Sequence, residues 1–359
     1  MADHALATIS NPDSALTDFT LIVDLENLPQ DWWDAVTSSD GTRGRVYKSD
    51  GSTRLACDWI DFDDTAETGL LRVLWSGTLA STGTQQLWIE PPVSGNATVA
   101  ADNTYGSDNA YDTSWDAYYP DGGTTDRTSN DRDGTAAGSP SIGGATGKIG
   151  NATDFDGSDD EIDLDSGWVG GYETLTVLAW GKSDASTGEH SLCAIWDGGA
   201  STSAFLLEQS GTVVLGAIRQ STSNQVAAAN GGSLSTDTWF HAGLRYHRAN
   251  ELFNVVLNGA QIANDNSDVS DSVTLQTSPL DNAYIGTNDT DSKRFDGTIQ
   301  HVQIHSEYRS DEWVSHEHDQ LSDNSTFWGS PSWVEEAGGT TAPTAVFSGP
   351  FGGPMIGCF

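Results

Sequence analysis

The segment NATDFDGSDDEIDLDSGW, residues 151–168, decides how this chain is interpreted. Within it, Glu161, Asp163 and Asp165 alternate with Ile162 and Leu164. Because successive side chains of a β-strand point to opposite faces, the pattern predicts a strand with its two apolar residues turned inward and its acids on the other face. Three interpretations of the acids are open: a solvated strand face, a pair of catalytic carboxylates, or part of a metal site.

The chain is strongly acidic. Its 359 residues include 52 Asp and Glu against 15 Lys and Arg, which gives a formal net charge of −37. At molar salt the Debye length falls to about 3 Å, so repulsion among the carboxylates is screened and a hydrated acidic surface remains. This composition indicates a halophile protein, with an ordinary acidic secreted protein as the alternative. Nucleic acid and anionic membranes are poor partners for either.

Cysteines and targeting signals give little information. Cys57, Cys193 and Cys358 are odd in number and far apart, so the sequence predicts neither a disulfide framework nor a metal knuckle. The opening MADHALATISNPDS lacks a charged start followed by an apolar stretch, and no apolar run reaches the length of a membrane span. We therefore expect a soluble chain without an export signal of its own. If it works outside a cell, it leaves by another route, such as packaging into a virus particle.

Short apolar runs between turn residues predict an all-β fold. FTLIVDL, residues 19–25, alternates like a half-buried strand. Asn258 and Gly259 lie between two apolar runs and predict a hairpin, since both residues tolerate the positive φ of a type I′ turn. Trp32 and Trp33 fit a helical turn that closes the end of a sandwich. Many strands at short spacing favour a two-sheet jelly roll.

Four stretches, in this order, resemble the laminin-G-like, concanavalin A-type lectin module: GKIGNATDFDGSDDEIDL, TWFHAGLRYHRANELFNVVLNGAQI, NAYIGT and FDGTIQHVQIHSEYRSDEWVSHEHDQLSDNSTFW. The earlier stretches LTDFTLIVDLENLPQDWWDAV and DDTAETGLLRVLWSG resemble a small β-sandwich domain of unknown function that often precedes this module. The tandem is similar to surface proteins of tailed viruses and of archaea. The resemblance implies a small β-sandwich over residues 1–105, a concanavalin A-like jelly roll over residues 106–328 and a Gly/Pro-rich apolar tail over residues 329–359.

The resemblance also implies a function. We expect a virion structural surface protein, a tail, fibre or capsid decoration of a tailed virus of a halophile, with glycan or host-surface adhesion through the lectin-like domain. Its partners would be other virion proteins, with a homo-oligomer in the assembly, formed in the host cytoplasm. The alternatives are a scaffold without ligand, an extracellular or cell-surface carbohydrate-binding protein and, as the weakest, a glycoside hydrolase.

The argument for an enzyme depends on EIDLD. Glucan-cleaving enzymes on a lectin-like sandwich carry E-x-D-x-E, and a retaining glycosidase needs two carboxyls about 5 Å apart, a spacing that residues i and i+2 of a strand can supply. Asp165 takes the place of the last Glu and is shorter by a methylene, and an acidic chain produces such matches by chance. We therefore predict no catalytic residue.

The loop TTDRTSNDRDGT, residues 124–135, is the candidate metal site. It brings Asp126, Asn130, Asp131 and Asp133 together, and oxygen ligands from a loop suit Ca²⁺. The stretch resembles the Asp-rich loop of the family, which lies near a structural calcium in related modules. It is not an EF-hand, because the Glu and Gly positions do not fit. A structural Ca²⁺ and a merely salt-adapted loop both stay open, and no other cofactor is predicted.

Aromatic and histidine side chains were weighed as ligand contacts. Carbohydrate binding needs exposed rings beside polar loops, for which Trp168, Tyr172 and Trp196 are the candidates, with burial in the core as the alternative. His301 and His305 stand four apart on a strand, roughly 13 Å, too far to share one ion. The same holds for His316 and His318, which point in different directions on a helix. We expect these four histidines to be exposed.

The last stretch, GGTTAPTAVFSGPFGGPMIGCF, has no charged side chain yet carries an apolar set. This set consists of Phe347, Phe351, Met355, Ile356 and Phe359. A solvated linker would not end in this way. The stretch is predicted to be a docking peptide that adds a strand to, or fills a groove in, a neighbouring subunit, with a disordered tail as the alternative.

Overall fold

The structure, a computed structural model, describes residues 2–164, 168, 171–196, 203–221, 224–230, 233–275, 282–288 and 293–336. Over these residues it is dominated by strands, which confirms the predicted all-β class. The predicted docking residues between Phe347 and Phe359 lie outside the described part of the chain, so the docking peptide stays a prediction.

The first module contains β1 (His4–Thr8), β2 (Leu16–Asp24), α1 (Gln30–Asp34), β3 (Arg45–Lys48), β4 (Cys57–Asp63), β5 (Thr68–Leu79) and β6 (Gln86–Glu90). The second module contains β7 (Trp115–Tyr119), β8 (Thr135–Ala137), β9 (Ser141–Thr146), β10 (Asn151–Asp156), β11 (Glu161–Asp163), β12 (Thr174–Ser183), β13 (Glu189–Ile195), β14 (Phe205–Ser210), β15 (Val213–Ser221), β16 (Asn224–Asn230), β17 (Trp239–His247), β18 (Leu252–Leu257), β19 (Ala260–Asn264), β20 (Tyr284–Ile285) and β21 (Asp296–His305). Two helices and a strand follow: α2 (Asp311–Ser322), α3 (Asn324–Trp328) and β22 (Ser332–Val334).

Two small antiparallel sheets build the first module. One has the order β2-β5-β4, and the other has the order β22-β1-β6-β3. Strand β22 pairs with β1, where Val334 stands opposite His4. Residues 332–334 therefore belong to the first module, although the sequence placed them in the tail. The local sequence gives no sign of this pairing, because the partner strand lies more than three hundred residues away.

Two larger sheets build the second module. One has the order β19-β18-β17-β12-β21-β10-β9, with β7 also paired to β21, and the other has the order β16-β15-β14-β13-β20-β11-β8. We call them the eight-stranded and the seven-stranded sheet. The predicted hairpin at Asn258 and Gly259 connects β18 and β19 with φ of 49° and 77°, which confirms the turn. At position 258, most side chains other than Asn or Asp would strain the backbone at this positive φ.

The apolar side chains divide into two main cores. Val177 and Ala179 of β12 face the space between the two large sheets, whereas Leu178 and Trp180 of the same strand face the opposite side. That opposite side packs against the first module and against α2 and α3, so both modules share one core. The alternation of β12 thus places apolar residues in two different cores. The domain boundary near residue 105 stays a prediction.

The shared core explains two differences from the sequence expectation. The alternation of β2 predicts a half-buried strand, yet every residue from Phe19 to Val23 is buried. The reason is that α2 and α3 pack against this strand and cover the face that would otherwise meet solvent. Trp32 and Trp33 are buried in this core as predicted. The described cysteines, Cys57 and Cys193, are free and buried.

Candidate functional site

Strand β11 lies near one edge of the seven-stranded sheet, with its acids turned away from the core. Ile162 and Leu164 are 0% and 2% exposed, which confirms the predicted alternation. Glu161 forms an ion pair with Arg294, whose Nη1 donates to Oε2 at 2.6 Å. The same Nη1 donates to the carbonyl oxygen of Asp159 at 2.9 Å, so the guanidinium is anchored to the turn that precedes the strand. Asp165 lies outside the described residues.

Asp163 is held by an amide. Nδ2 of Asn282 donates to both carboxylate oxygens of Asp163, at 3.0 Å each. Across the sheet, Asp163 stands opposite Tyr284, and Tyr284 stands opposite Ala194. Opposite residues of neighbouring antiparallel strands have Cβ atoms about 5 Å apart. Asp163 and Asn282 therefore form the partly exposed polar end of a row of side chains, and Tyr284 and Ala194 form its buried end.

A second charged group lies on the same sheet. Nζ of Lys293 donates to Oε2 of Glu208 at 2.7 Å and to Oε2 of Glu189. Burial raises the pKa of Glu208, while its bond to Lys293 acts in the opposite direction. The sequence reasoning missed Asn282, Arg294 and Lys293. Each precedes or follows a short strand and belongs to no recognisable motif, so only the fold brings it to its carboxylate.

The three predicted carbohydrate platforms are not open in the structure. Trp168 is 2% exposed, and the guanidinium of Arg132 lies 4.3 Å from its ring centre. Trp196 is 5% exposed, and the guanidinium of Arg219 lies 4.9 Å from its ring centre. The expectation of exposed rings is therefore corrected: arginines from other strands and loops cover them, and a sugar could stack there only if the guanidinium groups moved.

Tyr172 is the third candidate and lies beside the first. Its side chain packs against the core between the large sheets, and its hydroxyl donates to Asp116. Burial, and then the charge of Asp116, raise the pKa of Tyr172 well above the ordinary value for tyrosine. Asp116 also pairs with Arg132 at 3.6 Å. The structure thus brings Tyr172 and Trp168 together through one ion pair, and places Trp196 apart from them.

The predicted calcium loop is organised by hydrogen bonds around Asp126. Its buried carboxylate accepts from the backbone N–H groups of Tyr118, Thr128 and Arg132 at 3.0, 2.9 and 2.9 Å, and from the hydroxyl of Thr128 at 2.9 Å. Burial raises the pKa of Asp126, whereas these bonds lower it. Both carboxylate oxygens thus already hold two donors each.

The other loop candidates point elsewhere. Oδ1 of Asp133 accepts from the N–H of Asp126 at 2.9 Å, and Nδ2 of Asn130 donates to the carbonyl oxygens of Trp115 and Asp116 at 3.1 Å. Asp131 is exposed and occupies a turn with φ of 50°. Asp126 and Asp133 do meet, as predicted, but through a backbone N–H. Calcium binding by the four stays a prediction.

A different set of acids has the spacing of a metal site. Among the described residues, Asp156, Asp159 and Asp160 place one ligand atom each within 4.8 Å of the others. These carboxylates also close the turn before β11: Oδ2 of Asp160 accepts from the N–H of Asp156 at 2.9 Å, and Oδ1 of Asp156 accepts from the N–H of Ser158 at 2.8 Å. The turn alone accounts for the cluster.

The sandwich, its strand order and its neutralised edge carboxylates can now be set beside known proteins. Residues 155–315 match a laminin G family model described as the concanavalin A-like lectin/glucanases superfamily. This part of the chain thus resembles a concanavalin A-like domain. No curated protein matches the sequence.

Solved structures with a similar fold include domain 4 of AbnA, a GH43 extracellular arabinanase from Geobacillus stearothermophilus, in complex with arabinotriose. It is 20% identical with a TM-score of 0.44, over 58% of this chain and 98% of that domain. The receptor binding domain of botulinum neurotoxin D is 14% identical with a TM-score of 0.43, over 57% of this chain. This second match spans 52% of the neurotoxin domain.

The prediction that four histidines of β21 and α2 are exposed is wrong for three of them. His301, His305 and His316 are buried, and His318 is partly exposed. The first module and α2 cover this side of the eight-stranded sheet, which local sequence does not reveal. Burial lowers the pKa of His316 to about 4. Among the described helices, none has the length and apolar character needed to cross a membrane.

Proposed function

We propose that the protein is a non-enzymatic surface protein whose concanavalin A-like domain binds glycan at the polar edge of its seven-stranded sheet. The observation that carries this proposal is the Asp163–Asn282 pair, in which one amide nitrogen lies 3.0 Å from both carboxylate oxygens. A carboxylate and an amide held side by side offer acceptors and a donor at fixed spacing, as a sugar with adjacent hydroxyls requires.

The neighbouring ion pair supports binding rather than cleavage. A retaining glycosidase uses one carboxyl as nucleophile and keeps the other protonated as an acid. Glu161 is paired with the guanidinium of Arg294, and Asp163 is engaged by Asn282. An adjacent cation favours the ionised form of a carboxyl, so Glu161 is poorly suited to donate a proton. Neither acid of β11 has the environment of a general acid.

The setting we propose is the virion of a tailed virus that infects a halophile, as a tail, fibre or capsid decoration. The net charge of −37 supports a high-salt environment, and the sequence resemblance of the tandem to tailed-virus and archaeal surface proteins supports a virion location. The partners would be other virion proteins, further copies of this chain and a glycan on the host surface. A structural scaffold without ligand is the second candidate, favoured by the burial of Trp168 and Trp196.

A glycan array in molar KCl tests the proposal. Asp163→Asn removes the charge that receives the amide and the sugar hydroxyls, and we expect it to reduce the array signal at least about tenfold, the size of one lost charged hydrogen bond. Asp154→Asn, an exposed site on β10 of the other sheet, is the matched control and should bind like the parent protein. If the parent protein binds no glycan on the array, the proposal of glycan binding is wrong and the structural scaffold is the remaining candidate function.

A reducing-sugar assay separates binding from cleavage on the glycans that the array identifies. We expect the parent protein to release no reducing ends. Release by the parent protein that Glu161→Gln abolishes would contradict the proposal and establish β11 as a catalytic strand.

A further inference from the structure

A cavity lies where the first module meets the start of the second module, remote in sequence from the acids of β11. Its volume is about 120 Å³, and it lies beside β4. Thr42 and Ala101 at its rim are exposed, so the cavity is open to solvent. Its size suits a single small ring rather than an oligosaccharide. No sequence motif marks this cavity, because its lining comes from β4, a short helical turn, the segment after residue 98 and Arg127.

The floor of this cavity is a rigid polar pair. Nε of Arg127 donates to Oδ2 of Asp58 at 3.0 Å, and its Nη2 donates to Oδ1, so the contact is bidentate. The hydroxyl of Tyr111 donates to the same Oδ2 at 2.8 Å. Asp58 is buried, and Arg127 comes from the loop that was predicted to bind calcium. A planar pair fixed in this way is prepared to receive hydroxyl groups before a ligand arrives.

Two aromatic rings form the walls. Trp59 and Tyr105 both line the cavity and are both only partly buried, unlike Trp168 and Trp196. The Cβ that an alanine at position 44 would add lies 2.3 Å from a ring atom of Trp59. The indole can therefore occupy this position only because residue 44 is a glycine. An apolar ring face beside a polar floor fits a sugar, which has one apolar face and a rim of hydroxyls.

A cation, Arg54, lies beside the cavity on the ring of Tyr105. The guanidinium of Arg54 lies 4.5 Å from the ring centre of Tyr105, and its buried Nε has no hydrogen-bond partner. Among the ion pairs of the described residues, none includes Arg54. A guanidinium without a carboxylate partner can pair with the anionic group of a ligand.

A second arginine, Arg45, lies on β3 two residues from Tyr47, which pairs with Arg54. Nη1 of Arg45 donates to the carbonyl oxygens of Arg43 and Gly44 at 2.8 and 2.7 Å, so its charge is not cancelled by these contacts. Burial, and then the charge of Arg54, lower the pKa of Arg45.

We propose that this cavity binds a carboxylated sugar ring, a uronic acid residue. The ring packs against Trp59, its hydroxyls meet the Asp58–Arg127 pair, and its carboxylate meets Arg54, which lies on the ring of Tyr105. The site is separate from β11 and does not depend on the glycan site proposed there. A negatively charged molecule thereby gains one place where an anionic residue is attracted rather than repelled.

Titration calorimetry with sodium D-glucuronate, and with D-glucose as the neutral ring of the same shape, tests this site. We expect glucuronate to bind the full chain at least about tenfold more tightly than glucose, since a charge-assisted pair contributes about that factor. The indole N–H resonance of Trp59 should shift with glucuronate. Equal affinity for the two sugars, or no binding of either, would overturn the proposal.

Two variants locate the binding. Arg54→Gln should remove the preference for glucuronate, and Ala101→Phe should block both sugars by filling the rim. Ala66→Phe, at an exposed turn outside the cavity, is the matched control and should change neither. If Arg54→Gln retains the preference for glucuronate, the assigned carboxylate contact is wrong. Asp163→Asn should bind glucuronate normally, so failure of the β11 site and failure of this cavity give different results.

Discussion

Arg72 on β5 and Glu317 on α2 form an ion pair in which neither side chain is exposed. Nη2 of Arg72 lies 2.9 Å from Oε1 of Glu317. The hydroxyl of Tyr118, on β7, accepts from the same guanidinium at 3.1 Å, and Gln303 of β21 donates to Glu317 at 2.6 Å. One buried polar network therefore joins the first module, the concanavalin A-like domain and the helix that follows it.

Removing one charge of this pair should destabilise the whole protein. Glu317→Gln leaves the guanidinium of Arg72 buried without its counter-charge, and we expect a loss of about 3–5 kcal/mol in the free energy of unfolding. Guanidinium chloride denaturation gives the value. Glu173→Gln in the exposed pair with Arg248 is the control and should lose less than about 1 kcal/mol. A similar small loss for both variants would mean that the buried pair is not needed.

Acid should weaken the fold through buried histidines. Burial, and then the charge of His318, lower the pKa of His241 to about 3, and neither of its ring nitrogens has a hydrogen-bond partner. A histidine in the unfolded chain has a pKa of about 6.5. Below that pH the unfolded state binds a proton at His241, whereas the folded state does not until the pH falls to its own lower pKa. Stability then falls by up to about 1.4 kcal/mol per pH unit for this residue, down to the folded pKa.

His241→Gln isolates this effect in urea titrations from neutral pH to below pH 5. The variant should lose stability with acid less steeply than the parent protein, by up to one proton. Asp24, whose pKa burial raises to about 6, has the opposite sign, because the folded state then binds its proton first. It is present in both proteins and cancels in the comparison. Parallel curves would contradict the assignment to His241.

Salt should stabilise the fold. The chain carries a net charge of −37, and raising the salt from 0.1 to 1 M shortens the Debye length from about 10 to about 3 Å. We expect the melting temperature to rise across this range in KCl and equally in NaCl, because screening depends on ionic strength and not on the cation. A melting temperature that is flat or falls with KCl would show that self-repulsion is unimportant.

The loop around Asp126 should not need calcium. Asp126→Asn removes the charge that receives four hydrogen bonds, and we expect it to lower the free energy of unfolding by about 1.5–3 kcal/mol, equally in CaCl₂ and in EDTA. Asp131→Asn, at an exposed left-handed turn that Asn tolerates, should change stability by less than about 0.5 kcal/mol. A melting temperature raised by calcium in the parent protein and unaffected by it in Asp126→Asn would instead support the predicted metal site.

The local sequence pattern is sufficient to predict structure where neighbouring residues of the chain determine it. Ile162 and Leu164 were assigned to the core by alternation alone, and Asn258 with Gly259 was assigned to a hairpin by the backbone conformations these residues tolerate. Both inferences use neighbours in the chain. They hold because the strand pleat and the turn are set by the nearest residues.

Local pattern failed where a distant part of the chain covers a residue. His301 and His305 read as exposed because their strand alternates with apolar positions, yet the first module and α2 bury that second face. Trp196 is covered by Arg219 from another strand. The Asp163–Asn282 pair and the Arg54–Tyr105 contact likewise join residues that share no motif. Such relationships require the tertiary structure.

The pairing of β1 with β22 has a consequence for the order in which the chain is made. Residues 4–8 leave the ribosome well before their partner, residues 332–334, which follows after more than three hundred further residues. At about 5–20 residues per second, β1 must wait on the order of tens of seconds for that strand, with one edge unpaired. Over this interval the unpaired edge of β1 is open to wrong strand partners, and the first module is completed only after the second module has been translated.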